Sequence, residues 1–299
     1  MKIAVLMSTY NGEKYIKEQI DSILRQKCDM EIDLWIRDDG SVDNTQKILD
    51  TYKNKGKLNW YAGVNIGPAQ SFINLLLHCE KYDFYAFADQ DDYWMSDKLQ
   101  QGINRIKNID NAALYISNAR LVNSARIYMG RNVYKKTPKL DFYTLSCAGG
   151  LLGCTMIFNH ALAAIVQNNI LPDDIIMHDF YIALVCASMN GSLIYDPVPH
   201  MDYRQHENNV VGVSYGMKQI LTSRISDMIR KPKISIANQA NSLLKISGIS
   251  AENRDWLIRV NNYRETFYSR LKLAFSLKTR YINWNMGIKL RISIFFGNR

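Results

Sequence analysis

Four short apolar runs near the start of the chain each break off into polar residues, and this pattern limits the possible folds more than any other. Residues 2–7 (Lys2-Ile3-Ala4-Val5-Leu6-Met7) end at Ser8-Thr9-Tyr10-Asn11-Gly12. Residues 31–36 end at Arg37-Asp38-Asp39-Gly40-Ser41. A weaker run around 58–62 precedes Asn65-Ile66-Gly67-Pro68, and Phe84-Tyr85-Ala86-Phe87-Ala88 ends at Asp89-Gln90-Asp91-Asp92. Helical spacing fills the intervals at about 13–27, 43–54 and 69–79. Short apolar runs without alternation read as strands covered on both faces. The alternation therefore predicts an α/β fold: a mostly parallel central sheet with helices on both faces. Ligands of such sheets bind beyond the carboxyl ends of the strands, where all four polar clusters fall.

The last cluster is chemically the most demanding. Three carboxylates within four residues repel one another, and a divalent cation shared with a phosphorylated ligand relieves that repulsion. A solvated acidic turn is the plainer alternative. No G-x-G-x-x-G follows the first strand and no P-loop Gly-Lys-Ser/Thr is present, which argues against dinucleotide oxidoreductases and P-loop NTPases.

Further on, residues 112–117 read as a strand and 118–139 as a polar, basic loop. Residues 149–155, Gly149-Gly150-Leu151-Leu152-Gly153-Cys154-Thr155, suit a close approach of backbone to a ligand or a packed glycine corner. Residues 160–169 and 179–189 read as helices, and 192–195 as a late strand ending at Asp196-Pro197. After Gly216 the pattern is helical nearly throughout, giving a core of residues 1–215 and a helical C-terminal region of 216–299.

Charge divides at the same place. The chain of 299 residues carries +9 overall, but from Lys218 onward sixteen Lys and Arg face four acidic residues. A nearly neutral body with a basic tail points to a polyanionic surface: the interleaved apolar and basic residues suit an anionic membrane, with helices packed on the core and charges in water as the open alternative, and for the last ten residues membrane or partner contact is expected. No nucleic-acid motif is present, and an acidic cleft repels a polyanion, so nucleic acid is not an expected partner. Five scattered cysteines without a C-x-x-C pair read as reduced thiols. There is no signal-peptide pattern and no apolar run of about 18 residues, so the expected location is cytoplasmic, peripheral at the inner face of the cell membrane.

In order and spacing, the motifs at 8–12, 37–43, 65–67 and 89–94, together with His178-Asp179 and Tyr203-Arg204-Gln205-His206-Glu207-Asn208-Asn209, resemble the family-2 glycosyltransferases over about residues 1–212. The D-Q-D-D-x-W form resembles a bacterial subgroup of rhamnosyltransferases. The resemblance implies a GT-A fold and inverting transfer of a sugar from a nucleotide diphosphate to a hydroxyl of a glycan or lipid-linked oligosaccharide. It implies Mn²⁺ or Mg²⁺ as cofactor and dTDP-rhamnose as the first choice of donor, with UDP-hexoses as the alternative. A non-catalytic nucleotide-sugar or polyanion binder is the competing class.

The same resemblance implies residue roles. Asp91 matches the main metal ligand, and His206 is a further candidate ligand. Asp89 faces the ribose or the metal. Thr9 and Asp39 match positions at the nucleotide base, with Tyr10, Asn11 and Asn65 in the same donor-binding set. A carboxylate accepts the imide N–H of uracil and thymine equally, so the base contact does not separate UDP from dTDP. Asp38 either caps its turn or anchors Arg37. Asp179 matches the general base, although a carboxylate at a helix start is also an ordinary cap. His178 is expected to hold that acid or the acceptor, and Gly153 and Cys154 to roof the acceptor. Arg204 offers a fork to phosphate. Asp92 is open between metal-bound water, donor sugar and neither. Trp94 stacks near the acceptor sugar or anchors the core.

Overall fold

The computed structural model describes residues 1–169, 175–206, 234–279 and 284–299. The boundary at 215, the turn 171–174 and residues 207–209 lie outside them. Four strands, β1 (Lys2–Thr9), β2 (Glu31–Asp38), β3 (Asn59–Ala62) and β4 (Phe84–Ala88), pair in parallel in the order β3-β2-β1-β4. Helices α1 (Ile16–Leu24), α2 (Thr45–Lys53) and α3 (Pro68–His78) connect them. Side chains of β1 alternate between two cores. Ile3, Val5 and Met7 meet Ile16, Ile20 and Leu49 on one face, while Ala4 and Leu6 meet Phe72, Leu75 and Leu76 on the other. Burial on both faces is why these runs are apolar without interruption.

Beyond β4 the sheet becomes mixed, unlike the parallel pattern the early repeats suggest. The remaining strands are β5 (Tyr93–Trp94), β6 (Ala113–Val122), β7 (Tyr128–Asn132), β8 (Met156–Asn159) and β9 (Ser192–Arg204). The order continues β4-β8-β6-β9-β5, with β7 paired to β6. Strand β8 is antiparallel to β4 and β6, whereas β9 runs parallel to β6.

Two expectations change here. The stretch 118–139 is not simply a loop, because Ala119, Leu121 and Val122 are buried and extend β6, and β7 pairs back onto it. The late strand does not stop at Asp196-Pro197 but continues to Arg204. Register shifts opposite Ser117–Arg120 accommodate Pro197 and Pro199, as bulges do where a proline cannot donate to the ladder.

Helices α4 (Lys98–Ile106), α5 (Phe142–Ala148), α6 (His160–Gln167) and α7 (His178–Ser188) cover the mixed half. The described C-terminal helices are α8 (Ile236–Leu244), α9 (Ala251–Asn261), α10 (Phe267–Ala274) and α11 (Trp284–Phe295). They share a core with α3, α5 and α7 through residues such as Leu243, Trp256, Leu257, Leu273, Leu290 and Ile294. Trp256 Nε1 donates to Ser146 Oγ at 2.7 Å, and Arg299 Nη2 to the Ala148 carbonyl at 2.6 Å. No helix among the described residues is long and apolar enough to cross a membrane.

Candidate active site

A cavity of about 480 Å³ opens at the carboxyl ends of β1, β2 and β4, within the usual range for a small-molecule site. Its lining includes Thr9, Tyr10, Asn11, Asp39, Asn65, Asp89, Asp91, Gly153, His178, Asp179 and His206, so the early strand ends and the late motifs face one space.

The early loops hold one another in place. Asn11 has φ +48° and accepts from Val42 N at 2.9 Å, while its own N–H donates to Ser41 Oγ at 2.8 Å. Asp38 caps its turn, accepting from Ser41 N and Gln46 Nε2, and does not pair with Arg37. Arg37 pairs with Asp39 instead. Asp39 also accepts from Ile66 N at 3.0 Å and Gly67 N at 2.9 Å, which fixes the Asn65 loop at the start of α3. A carboxylate accepts roughly four hydrogen bonds, so about one acceptor position on Asp39 remains for a ligand.

Gln90 is the residue sequence reasoning passed over. Its Oε1 accepts from Thr9 Oγ1 at 2.6 Å and Tyr10 N at 3.0 Å, and its Nε2 donates to the Tyr10 carbonyl. It thereby joins the first cluster to the last. A Cβ at Gly12 would lie 2.2 Å from Gln90 Oε1, so the glycine is required for this approach. The only signal in the sequence was an amide placed between acids.

Asp91 Oδ2 lies 2.7 Å from His206 Nε2, and the His206 ring stacks on Tyr15 at 5.0 Å. Burial and the neighbouring Asp91 push the Asp89 carboxyl up to about 7. Asp89, Asp91 and His206 all line the cavity, and carboxylates facing such a space suit a divalent ion such as Mn²⁺ or Mg²⁺ that takes phosphate oxygens as well. The ligand-type atoms that lie within 4.8 Å of one another among the described residues belong instead to Asp89, Asp92 and Cys154, of which Asp92 and Cys154 are buried and do not line the cavity.

Four expected contacts do not reach the cavity. Asp92 is fully buried and accepts from Arg204 N at 3.0 Å. Burial first, then Asp91 and Asp89, raise its pKa well above the ordinary carboxylate range. Cys154 packs behind the wall beside it, because the short 3₁₀ turn 153–155 presents Gly153 outward and the thiol inward. Trp94 is core: β5 buries the ring, with Lys98 Nζ 4.0 Å above it. Lys98 is itself buried, and burial lowers it to about 8. Arg204 is not a free phosphate fork. It ends β9, is 3 % exposed, and donates to the carbonyls of Asp91 and Ser124, both at 2.7 Å, and to Glu18. The Tyr15 ring lies 4.6 Å from its guanidinium. Arg204 thus supports the acidic loop from behind.

Asp179 stands in the first turn of α7 and is not its N-cap, a position that Met177 occupies. The Asp179 carboxylate accepts from Phe180 N at 2.6 Å and from Gly153 N at 3.1 Å while facing the cavity. Burial pushes it up to about 6, with those backbone bonds opposing the shift. His178 stacks on Phe72 at 3.9 Å and meets Phe87 edge-on at 4.9 Å. Neither ring nitrogen has a hydrogen-bond partner among the described residues, and burial lowers it to about 3, so it is neutral at pH 7. His178 therefore does not bond to Asp179, one of the two roles expected of it.

With the pocket defined, comparison with known proteins gives the class. Residues 4–163 match glycosyl transferase family 2, and the chain belongs to that family. It is a glycosyltransferase. Over 230 residues it is 34 % identical to the dTDP-rhamnosyl transferase RfbG of Shigella flexneri, covering 71 % of this chain and 75 % of that protein. The fold is that of the GT-A glycosyltransferases. The structure of Staphylococcus aureus TarS 1–349 with UDP-GlcNAc superposes with TM-score 0.57 at 22 % identity, over 93 % of this chain and 77 % of that one. The mannosyltransferase PcManGT of Pyrobaculum calidifontis with GDP-Man and Mn²⁺ gives 0.54 at 14 %, over 98 % of this chain and 73 % of that one.

Proposed function

We propose that the protein is an inverting, metal-dependent rhamnosyltransferase that moves L-rhamnose from dTDP-rhamnose to a hydroxyl of a glycan or lipid-linked oligosaccharide in cell-surface polysaccharide synthesis. One observation carries the chemistry: Asp179, held near pKa 6, shares a single cavity with Asp89 and Asp91. The donor name rests on the 34 % identity to the Shigella enzyme over most of both chains.

Thr9, Asp39 and Asn65 receive the nucleotide. The spare acceptor position on Asp39 meets the imide N–H of thymine, and Arg37 orients that carboxylate. Asp89, Asp91 and His206 would hold the divalent ion, which would supply positive charge to the departing diphosphate. Asp179 takes the proton of the attacking hydroxyl. A base near pKa 6 is ionised at neutral pH and is stronger than an ordinary carboxylate. The N–H groups of Gly153 and Phe180 aim it, which limits the reorganisation the reaction requires. Transfer opposite the leaving group inverts the anomeric carbon.

The test is transfer of labelled sugar from dTDP-rhamnose and from UDP-glucose and UDP-GlcNAc, with Mn²⁺, Mg²⁺ or chelator. The proposal expects turnover with dTDP-rhamnose that chelator abolishes. Preferred turnover of a UDP-sugar overturns the donor but keeps the class, a second reading favoured by the UDP-GlcNAc-bound TarS fold. Full activity in chelator overturns the role of the metal.

A further inference from the structure

Helix α10 is apolar on two sides. Leu273 and Ala274 are buried in the core shared with α3, α5 and α7. The other side and the turn after it expose Phe267 (59 %), Tyr268 (69 %), Phe275 (62 %) and Leu277 (88 %). The patch continues onto α11. Phe267 meets Phe295 at 5.3 Å, Phe295 meets Phe296 at 5.3 Å, and Phe296 is 60 % exposed. Contiguous exposed aromatic and aliphatic groups of this kind mark an interaction surface, since scattered single residues do not gather on one helix pair.

Charge selects the occupant. Among the described residues after Asn262, Lys278 pairs with Glu252 and Arg291 donates to the Ala274 carbonyl, so the basic character of the patch rests on Arg264, Arg270 and Lys272, against Glu265. Lys272 is exposed on α10 itself, and Arg264 and Arg270 border a small cleft with Phe296 and Gly297. A second copy of the chain would bring the same basic face against itself, which like-charge repulsion opposes. An anionic bilayer meets both properties: apolar side chains enter the headgroup region while basic ones meet lipid phosphate.

We propose that α10, the turn 275–278 and the exposed end of α11 form a docking surface for an anionic lipid membrane. The surface differs from the one the sequence favoured. The last residues do not lie free as an amphipathic tail, because Leu290 and Ile294 are buried in the core. The exposed apolar groups come chiefly from residues 267–277, on helices fastened to the catalytic half. Docking therefore holds the enzyme in one orientation. The proposal is independent of the donor sugar assigned above.

The experiment is co-sedimentation of the full chain with phosphatidylcholine vesicles, with and without phosphatidylglycerol, and with single-stranded oligonucleotide as competitor. Expected is binding to the anionic vesicles that rising salt weakens. The variant Phe267→Ser/Phe275→Ser/Leu277→Ser should lower partitioning at least about ten-fold. Lys272→Glu alone should lower it about five-fold or more. These side chains are exposed, so thermal unfolding should stay near the parent value. Equal partitioning of parent and triple variant overturns the proposal. So does indifference to phosphatidylglycerol, oligonucleotide binding tighter than vesicle binding, or self-association that the triple variant abolishes.

Discussion

The two halves of the sheet build their shares of the pocket by different means. In the parallel half, β1 to β4, each functional residue follows its strand directly, and neighbouring loops clasp one another through Asn11, Asp38, Asp39 and Gln90. In the mixed half the functional groups come from distant points. Asp179 is held by Gly153, and His206 reaches Asp91 across 115 positions. Repetition of a βα unit makes a site whose parts announce themselves. Antiparallel returns make one whose parts are meaningful only after folding. The proposed mechanism assigns the halves different tasks: the first holds the donor nucleotide, and the second supplies the base.

The largest expected effects test that division directly. Asp179→Asn should lower kcat by about 10²–10⁴ while leaving nucleotide affinity near the parent value by titration calorimetry. Asp91→Asn should remove both transfer and metal-dependent nucleotide binding. If the two variants lose binding equally, the halves do not divide the work as described.

Next come two glycines that sharpen the contrast. An added methyl at Gly12 would stand 2.2 Å from Gln90 Oε1, and one at Gly153 would stand 2.4 Å from His178 Nε2. Displacing groups by about 1 Å costs on the order of 100-fold where geometry is critical. Gly12→Ala should express that loss chiefly as weaker donor binding, and Gly153→Ala chiefly as lower kcat. The reverse assignment in steady-state kinetics would break the comparison.

Acidity separates the halves in a third way. Asp179 must be ionised to accept a proton, so kcat should be full well above pH 6 and fall about ten-fold per unit well below it. Burial and Asp91 raise Asp89 in the absence of an ion, so apparent metal affinity should decline as pH falls, alongside the loss of the chemical step. Metal titrations at several pH values alongside the rate profile would reveal both.

The smallest effect concerns stability. His178 fills an aromatic slot with both nitrogens unpaired among the described residues. His178→Phe keeps the ring and removes that cost, about 1 kcal/mol or more. The melting temperature should rise by about 2 °C. A fall of several degrees would mean that the imidazole has a partner in solution.

This contrast also explains what could be read from the sequence. Apolar runs with polar ends were legible because two-sided burial writes itself into consecutive residues, as in Ile3–Met7. Asp39, Asp91 and Asp179, which the fold brings to a single cavity, were legible as members of one site. Their neighbours in space were not. Cys154 was expected to roof the acceptor, yet one 3₁₀ turn sends its thiol inward, whereas Trp94 anchors the core, one of the two readings its position allowed. Arg204 carries the right charge for phosphate, but Glu18 and two carbonyls claim it, and no local pattern connects positions 18, 91, 124 and 204. Strand β9 was read too short because Pro197 and Pro199 look like terminators until β6 supplies the bulges that absorb them.

Arg204 has a consequence for how such a protein can be inherited. The acidic loop at 89–92 ends the self-contained parallel unit, yet its backbone is fastened by a residue more than a hundred positions later. A recombination event that copied only the first ninety-four codons into another gene would carry the four early motifs without the fastening that holds the last of them. Such a fragment would look like an enzyme on paper and would have to acquire a new brace before it could become one. A portable piece of this fold must therefore reach at least the end of β9.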